Sequence, residues 1–187
     1  MKTHKYIRLL TVAILLIIQV VFLLMIIKEQ YTANNVLIVT SIVIITLSVF
    51  FGYRYLDLHH HKYNYEKISV VIWVPIGALL CYTINIYLGL GSVLAAGIIG
   101  VLASLIPKIN SQSNYLKQLP AVIYCGAFVG MSGAQITPSI SFVIAAGSIT
   151  ALLYMVSKNL FLGIGGKLGA LAFAGVIIVS LIHWLYL

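Results

Sequence analysis

Long apolar runs separated by short polar or glycine-rich joins fill nearly all of this chain, which leaves few ways to fold. Seven segments can be drawn: Tyr6–Ile27, Val36–Tyr53, Ile68–Tyr87, Ser92–Ile106, Leu116–Met131, Ser139–Ser157 and Leu160–Leu187. Most approach the ~20 residues that a helix needs to cross a bilayer. The charge inventory agrees. Eleven Lys and Arg and three Asp and Glu make up 7% of 187 residues, against about 25% in soluble domains, whose surfaces must be hydrated. A transmembrane β-barrel would show strands of alternating polarity, and none are visible. The expected class is an all-α polytopic membrane protein, one membrane domain over 1–187. Soluble enzymes and nucleic-acid binders are excluded.

Basic residues then set the expected topology. With the N-terminus inside, the cytoplasmic regions hold Lys2, Lys5, Arg8, Arg54, Lys62, Lys67, Lys108, Lys117 and Lys158, and the far side receives Lys28. Such asymmetry orients membrane proteins. It predicts seven spans in the cell inner (plasma) membrane, N-terminus in and C-terminus out. The first segment is too long for a signal-peptide core and lacks a cleavage site, so it reads as a retained helix. Cys81 and Cys125 lie in apolar runs and read as small buried residues.

An internal match constrains the arrangement further. A shift of 74 residues lays Asn85-Ile86-Tyr87-Leu88-Gly89-Leu90-Gly91 on Asn159-Leu160-Phe161-Leu162-Gly163-Ile164-Gly165. The stripe Ser92, Ala96, Gly100 then falls on Gly166, Ala170, Ala174, and Gly52 on Gly126. Each copy holds three helices, so the second must enter the membrane from the opposite side. This predicts a 3+3 inverted-topology repeat (36–107 and 114–187) with residues 1–30 as a peripheral extra helix.

Glu29, Asp57 and Glu66 all fall at or beyond predicted helix ends, so no carboxylate is expected deep in the bilayer. Two-carboxylate hydrolysis, metal-dependent transfer and a buried acid relay lack material. No catalytic residue, metal or cofactor is expected. A retinal-type Schiff base on Lys167 would lack its counter-ion.

The expected solute pathway is Asn85, Gly89, Gly91, Ser92, Asn159, Gly163, Gly165, Gly166 and Lys167. Glycines there expose backbone N–H groups, and Lys167 adds positive charge one to two turns inside the last segment. The alternatives are a snorkelling Lys167 and asparagines that cap helices beside glycine turns. A bulky residue at Gly91 or Gly165 is expected to block close backbone approach. Ser132, Gln135 and Thr137, in a breaker-rich run, are candidates for an outer vestibule. Pro120 is placed near its helix start, where a missing N–H costs little. The loop His59–His61 reads as a solvated join, with metal or pH sensing as its alternative.

The expected function is a small membrane transporter or channel for a neutral or anionic solute. The expected partners are the lipid bilayer and that solute, and a homodimer is compatible with so small a unit. The alternative is a non-transport partner or sensor subunit that docks another protein through small-residue faces. The two differ in the core: a transporter needs a polar cavity between the repeats, and a docking subunit needs a closed interior.

Overall fold

A computed structural model describes residues 2–32, 36–55, 65–158, 160 and 165–186, and their regular structure is entirely helical. Seven helices follow in order among the described residues: α1 (Lys2–Thr32), α2 (Val36–Tyr55), α3 (Ile68–Tyr87), α4 (Ser92–Ile109), α5 (Asn114–Gly130), α6 (Ile140–Val156) and α7 (Lys167–Tyr186). Four contain stretches long and apolar enough to cross a membrane: Leu9–Tyr31, Ile68–Tyr87, Ser92–Ile109 and Lys167–Leu185. Val36–Ser48 and Ile140–Val156 are shorter apolar helices. The chain thus has the make-up of a multi-pass membrane protein.

Two compact units divide it, Met1–Tyr63 and Asn64–Leu187. In the first, α1 and α2 pack on each other. The hydroxyls of Thr40, Ser41, Thr46 and Ser48 each donate to the carbonyl four residues back at 2.6–2.8 Å. That internal bond lets a hydroxyl sit on an otherwise apolar helix without an unmet donor.

The second unit is a bundle of α3 to α7 with α5 in its middle, against α3, α4, α6 and α7. Contacts along each seam fix the directions. Trp73 Nε1 donates to Tyr115 Oη at 2.8 Å, and that hydroxyl donates to Ser69 O at 3.1 Å, so α3 and α5 start at the same end. Glu66 N donates to Met155 O at 3.1 Å, so α6 finishes where α3 begins. The five helices therefore alternate in direction. Lys67, Lys108, Lys117, Lys158 and Lys167 all flank one end of the bundle, while the joins 88–91 and 131–139 at the other end carry no charged side chain.

Backbone proximity holds the centre together. Gly126 and Gly130 lie one turn apart on α5, and a Cβ at either would collide with α3, on the carbonyls of Val74 and Ala78. Gly77 of α3 likewise abuts the Ile123 carbonyl, and a Cβ on Gly147 of α6 would lie 2.9 Å from Pro75 Cα. Small residues permit such approach, and close van der Waals contact is the main attraction left between helices in lipid. Val74, Cys81, Val122, Cys125, Val129 and Val143 fill the remaining space and are fully buried. This seam is closely packed.

Local chemistry sets where the helices begin and break. Ser113 Oγ accepts Leu116 N at 3.4 Å and Ser139 Oγ accepts Phe142 N at 3.2 Å, capping α5 and α6. Pro75 has no N–H to give the Val71 carbonyl, and the regular ladder of α3 is interrupted at Ile72. Several segment limits move. Helix α4 continues through Pro107 to Ile109, and α5 starts at Asn114, which places Pro120 well inside it rather than near its start. Helix α7 begins at Lys167, so that residue opens the helix instead of lying one to two turns within it.

Candidate functional site

The sequence-derived pathway residues divide between the two ends of the second unit. At the uncharged end, α3 finishes in a wide π-turn, Thr83–Tyr87, with Leu88 N bonded five residues back to Thr83 O at 3.2 Å. Wide turns of this kind recur at functional positions. This one carries Asn85 inward, where it is 9% exposed. Its Nδ2 reaches the carbonyls of Gly130, Met131 and Ser132 at 3.2, 3.4 and 3.5 Å. Asn85 thus caps a helix, but the helix is the neighbouring α5 and not its own.

The adjoining loop folds inward rather than opening a mouth. Thr137 is fully buried, its hydroxyl lies 3.0 Å from Gly133 O and 3.3 Å from Ser132 O, and its carbonyl accepts Tyr82 Oη at 3.0 Å. Gln135 is exposed and Ser132 half-buried. Of the three vestibule candidates, Thr137 is therefore an internal tie, and Gln135 is the one facing outward.

The basic end is organised by Lys167. Its Nζ donates to Ser157 O, and to Lys158 O at 3.2 Å, the carbonyls that end α6. A cation at a helix C-terminus meets the negative end of its dipole and its unbonded carbonyls. Lys167 is accordingly the C-terminal cap of α6. Beside it, Lys158 Nζ pairs with Glu66 Oε1 at 3.0 Å, and that oxygen also accepts Lys67 N at 3.3 Å. Glu66 is 8% exposed. The pair was not legible in sequence, because its members stand 92 positions apart.

The two glycine corners lie at opposite ends of the bundle, since α4 and α7, which follow them, run in opposite directions. Gly89, Gly91 and Gly166 hold φ of 65°, 82° and 84°. Gly91 and Gly165 face open space, so the expectation of close backbone approach at these positions is corrected: what Gly91 supplies is a left-handed backbone. In the second corner that role falls to Gly166. We expect Gly166→Ala to cost about 1–2 kcal/mol of stability through its φ and Gly165→Ala almost nothing, as read by thermal unfolding of the two variants. Asn159, Gly163 and His59–His61 lie outside the described residues.

One buried oxygen was missed by sequence reasoning. Thr150 Oγ1 on α6 has no hydrogen-bond partner among the described residues. It faces Gly175 of α7, where a Cβ would strike it, so the glycine Cα–H is the group that meets the hydroxyl.

No protein-family model, curated protein or solved structure matches the chain.

Proposed function

We propose that the chain is a small multi-pass membrane transport protein. In this reading a small neutral or anionic solute crosses between two inverted three-helix repeats, with α1 as a peripheral addition. The observation that carries the reading is the placement of the glycine corners. They open α4 and α7 from opposite ends of one bundle, and Gly91, Gly165 and Gly166 are exposed there. Paired glycine-broken segments in corresponding places of two halves are a pointer to transport sites. The antiparallel pairs α3/α6 and α4/α7 have the relative directions that inversion requires, while α2 belongs to the other compact unit. The collected lysines support a cytoplasmic basic end, and the proposed topology has seven spans with the N-terminus inside and the C-terminus outside.

A second reading draws on a different observation. The α3–α5–α6 seam is closed, and Asn85, Thr137 and Lys167 are engaged at helix ends. A closed interior is what a membrane-embedded partner or sensor subunit needs.

Reconstitution in liposomes separates the two. Under the transport reading, the full chain accelerates flux of at least one small neutral or anionic solute over empty vesicles. Lys167→Met then lowers anion flux several-fold, with Lys167→Arg retaining it. Flux equal to empty vesicles across a panel of sugars, amino acids, inorganic anions and carboxylates would favour the subunit reading.

A further inference from the structure

We infer that the basic end of the bundle binds one anionic phospholipid, its phosphate held by Lys108 and Lys117 and an acyl chain lying in the groove below them. The register of α4 and α5 brings these two lysines together. Gly100 of α4 meets the ring of Tyr124 of α5, where a Cβ would lie 2.9 Å from Cε2. From that contact Lys108 lies eight residues on along α4, and Lys117 seven residues back along α5. The helices run antiparallel, so at the α-helical rise both lysines stand about 11–12 Å toward the hairpin 110–113. Both are exposed.

Charge defines the ligand's head. The Asn64–Leu187 unit contains five lysines and one carboxylate, Glu66, which already holds Lys158. Neither Lys108 nor Lys117 has an ion pair among the described residues. Lys117 also stands near the start of α5, where the helix dipole is positive and a cation is disfavoured. An external anion at this point offsets the surplus.

The groove defines the rest of the ligand. On α4, Gly97, Ser104 and Lys108 fall at i, i+7 and i+11, with Gly100 beside them. On α5, Lys117, Ala121, Tyr124 and Phe128 fall at i, i+4, i+7 and i+11, so each set shares a helix face. Gly97, Ser104 and Ala121 are exposed, and Gly100, Tyr124 and Phe128 are half-buried. Ser104 Oγ donates to Val101 O at 2.7 Å, which lets its hydroxyl face hydrocarbon. From the lysines the groove runs about 16 Å along the helices, the depth of one leaflet in a hydrocarbon core about 30 Å thick. A charged head above an apolar track one leaflet long matches a phospholipid. A soluble anion would leave the track empty, and a second copy would bring its own lysines against these. The inference stands apart from the transport reading, because its readout is binding and not flux.

The test uses the purified full chain in neutral detergent micelles, with bound lipid counted by native mass spectrometry. Phosphatidylglycerol and phosphatidylcholine of identical chains are titrated in parallel. The expected result is one phosphatidylglycerol per chain, held at least about tenfold tighter than phosphatidylcholine. Lys108→Gln with Lys117→Gln should weaken phosphatidylglycerol about thirtyfold, or about fivefold per lysine. Lys67→Gln removes an equal charge at the same end but on the α3 side of α5, and should weaken it less than about twofold. Ala121→Trp, at an exposed position, should fill the groove and lower phosphatidylglycerol affinity at least about tenfold with both lysines intact. Equal binding of the two lipids overturns the site, as does undiminished binding in Ala121→Trp. A loss in Lys67→Gln as large as that in Lys117→Gln alone overturns it too, since the attraction is then general. Competition by inorganic phosphate at concentrations equal to the lipid would make the ligand a free anion, and a dimer that excludes phosphatidylglycerol would give the groove to a second copy; either result overturns the lipid.

Discussion

Gly126→Ala should prevent stable assembly of the Asn64–Leu187 unit, although it adds one methyl group. The new Cβ would lie on the Val74 carbonyl and 2.9 Å from Ala78 N, so the obstacle is backbone and no rotamer change relieves it. Overpacking typically costs about 1–3 kcal/mol and occasionally more; a clash with rigid helix backbone belongs at or above the top of that range. Gly97→Ala in α4 is the matched control, since nothing lies within 4 Å of its Cβ, and alanine is favoured over glycine in a helix by about 1 kcal/mol. Thermal unfolding of both variants should show Gly126→Ala far below wild type and Gly97→Ala at or above it. Equal stability of the two would mean that α3 and α5 are not in backbone contact.

Glu66→Gln should give the second large loss. Its carboxylate is almost wholly buried and holds both Lys158 and the backbone N–H of Lys67. Removing one partner of a buried pair costs about 3–5 kcal/mol, but the Lys158 side chain is 31% exposed and keeps part of its hydration. We therefore expect about 2 kcal/mol. Lys158→Met in the Glu66→Gln background should recover part of the loss, because no charge is then left unpaired. A double-mutant cycle read by unfolding measures the coupling; additive losses would show that the two side chains act independently.

Much of the fold was legible because lipid permits so few solutions. The seven apolar segments each contain a helix, and residues that start four of those helices are visible in the sequence: Ser113 and Ser139 as N-caps, Gly91 and Gly166 as left-handed corners. The site was less legible, since helix ends are satisfied across the bundle rather than along the chain. Asn85 beside a glycine turn suggests a local cap, yet its acceptors are 45 to 47 residues away, at and just past the end of α5. Lys167 followed by an apolar helix suggests a stranded charge, yet its acceptors end the preceding helix. Glu66 looked like a loop acid because nothing near it in sequence reveals Lys158. Residue type shows that a polar group needs a partner; only tertiary packing supplies which one.

The central position of α5 bears on how such a chain is made. With 17 residues, Asn114, Lys117 and Gln118 in its first turns, and no place among the long or short apolar stretches, it is poorly suited to partition into lipid by itself. It is also the helix that touches all four others in its bundle. During synthesis α3 and α4 emerge before it, and their glycine and alanine notches present a surface on which it can settle. Its insertion is therefore expected to depend on earlier segments, and a chain cut after Gly130 and extended by a flexible tail long enough to clear the ribosome should integrate α5 only when α3 is present upstream.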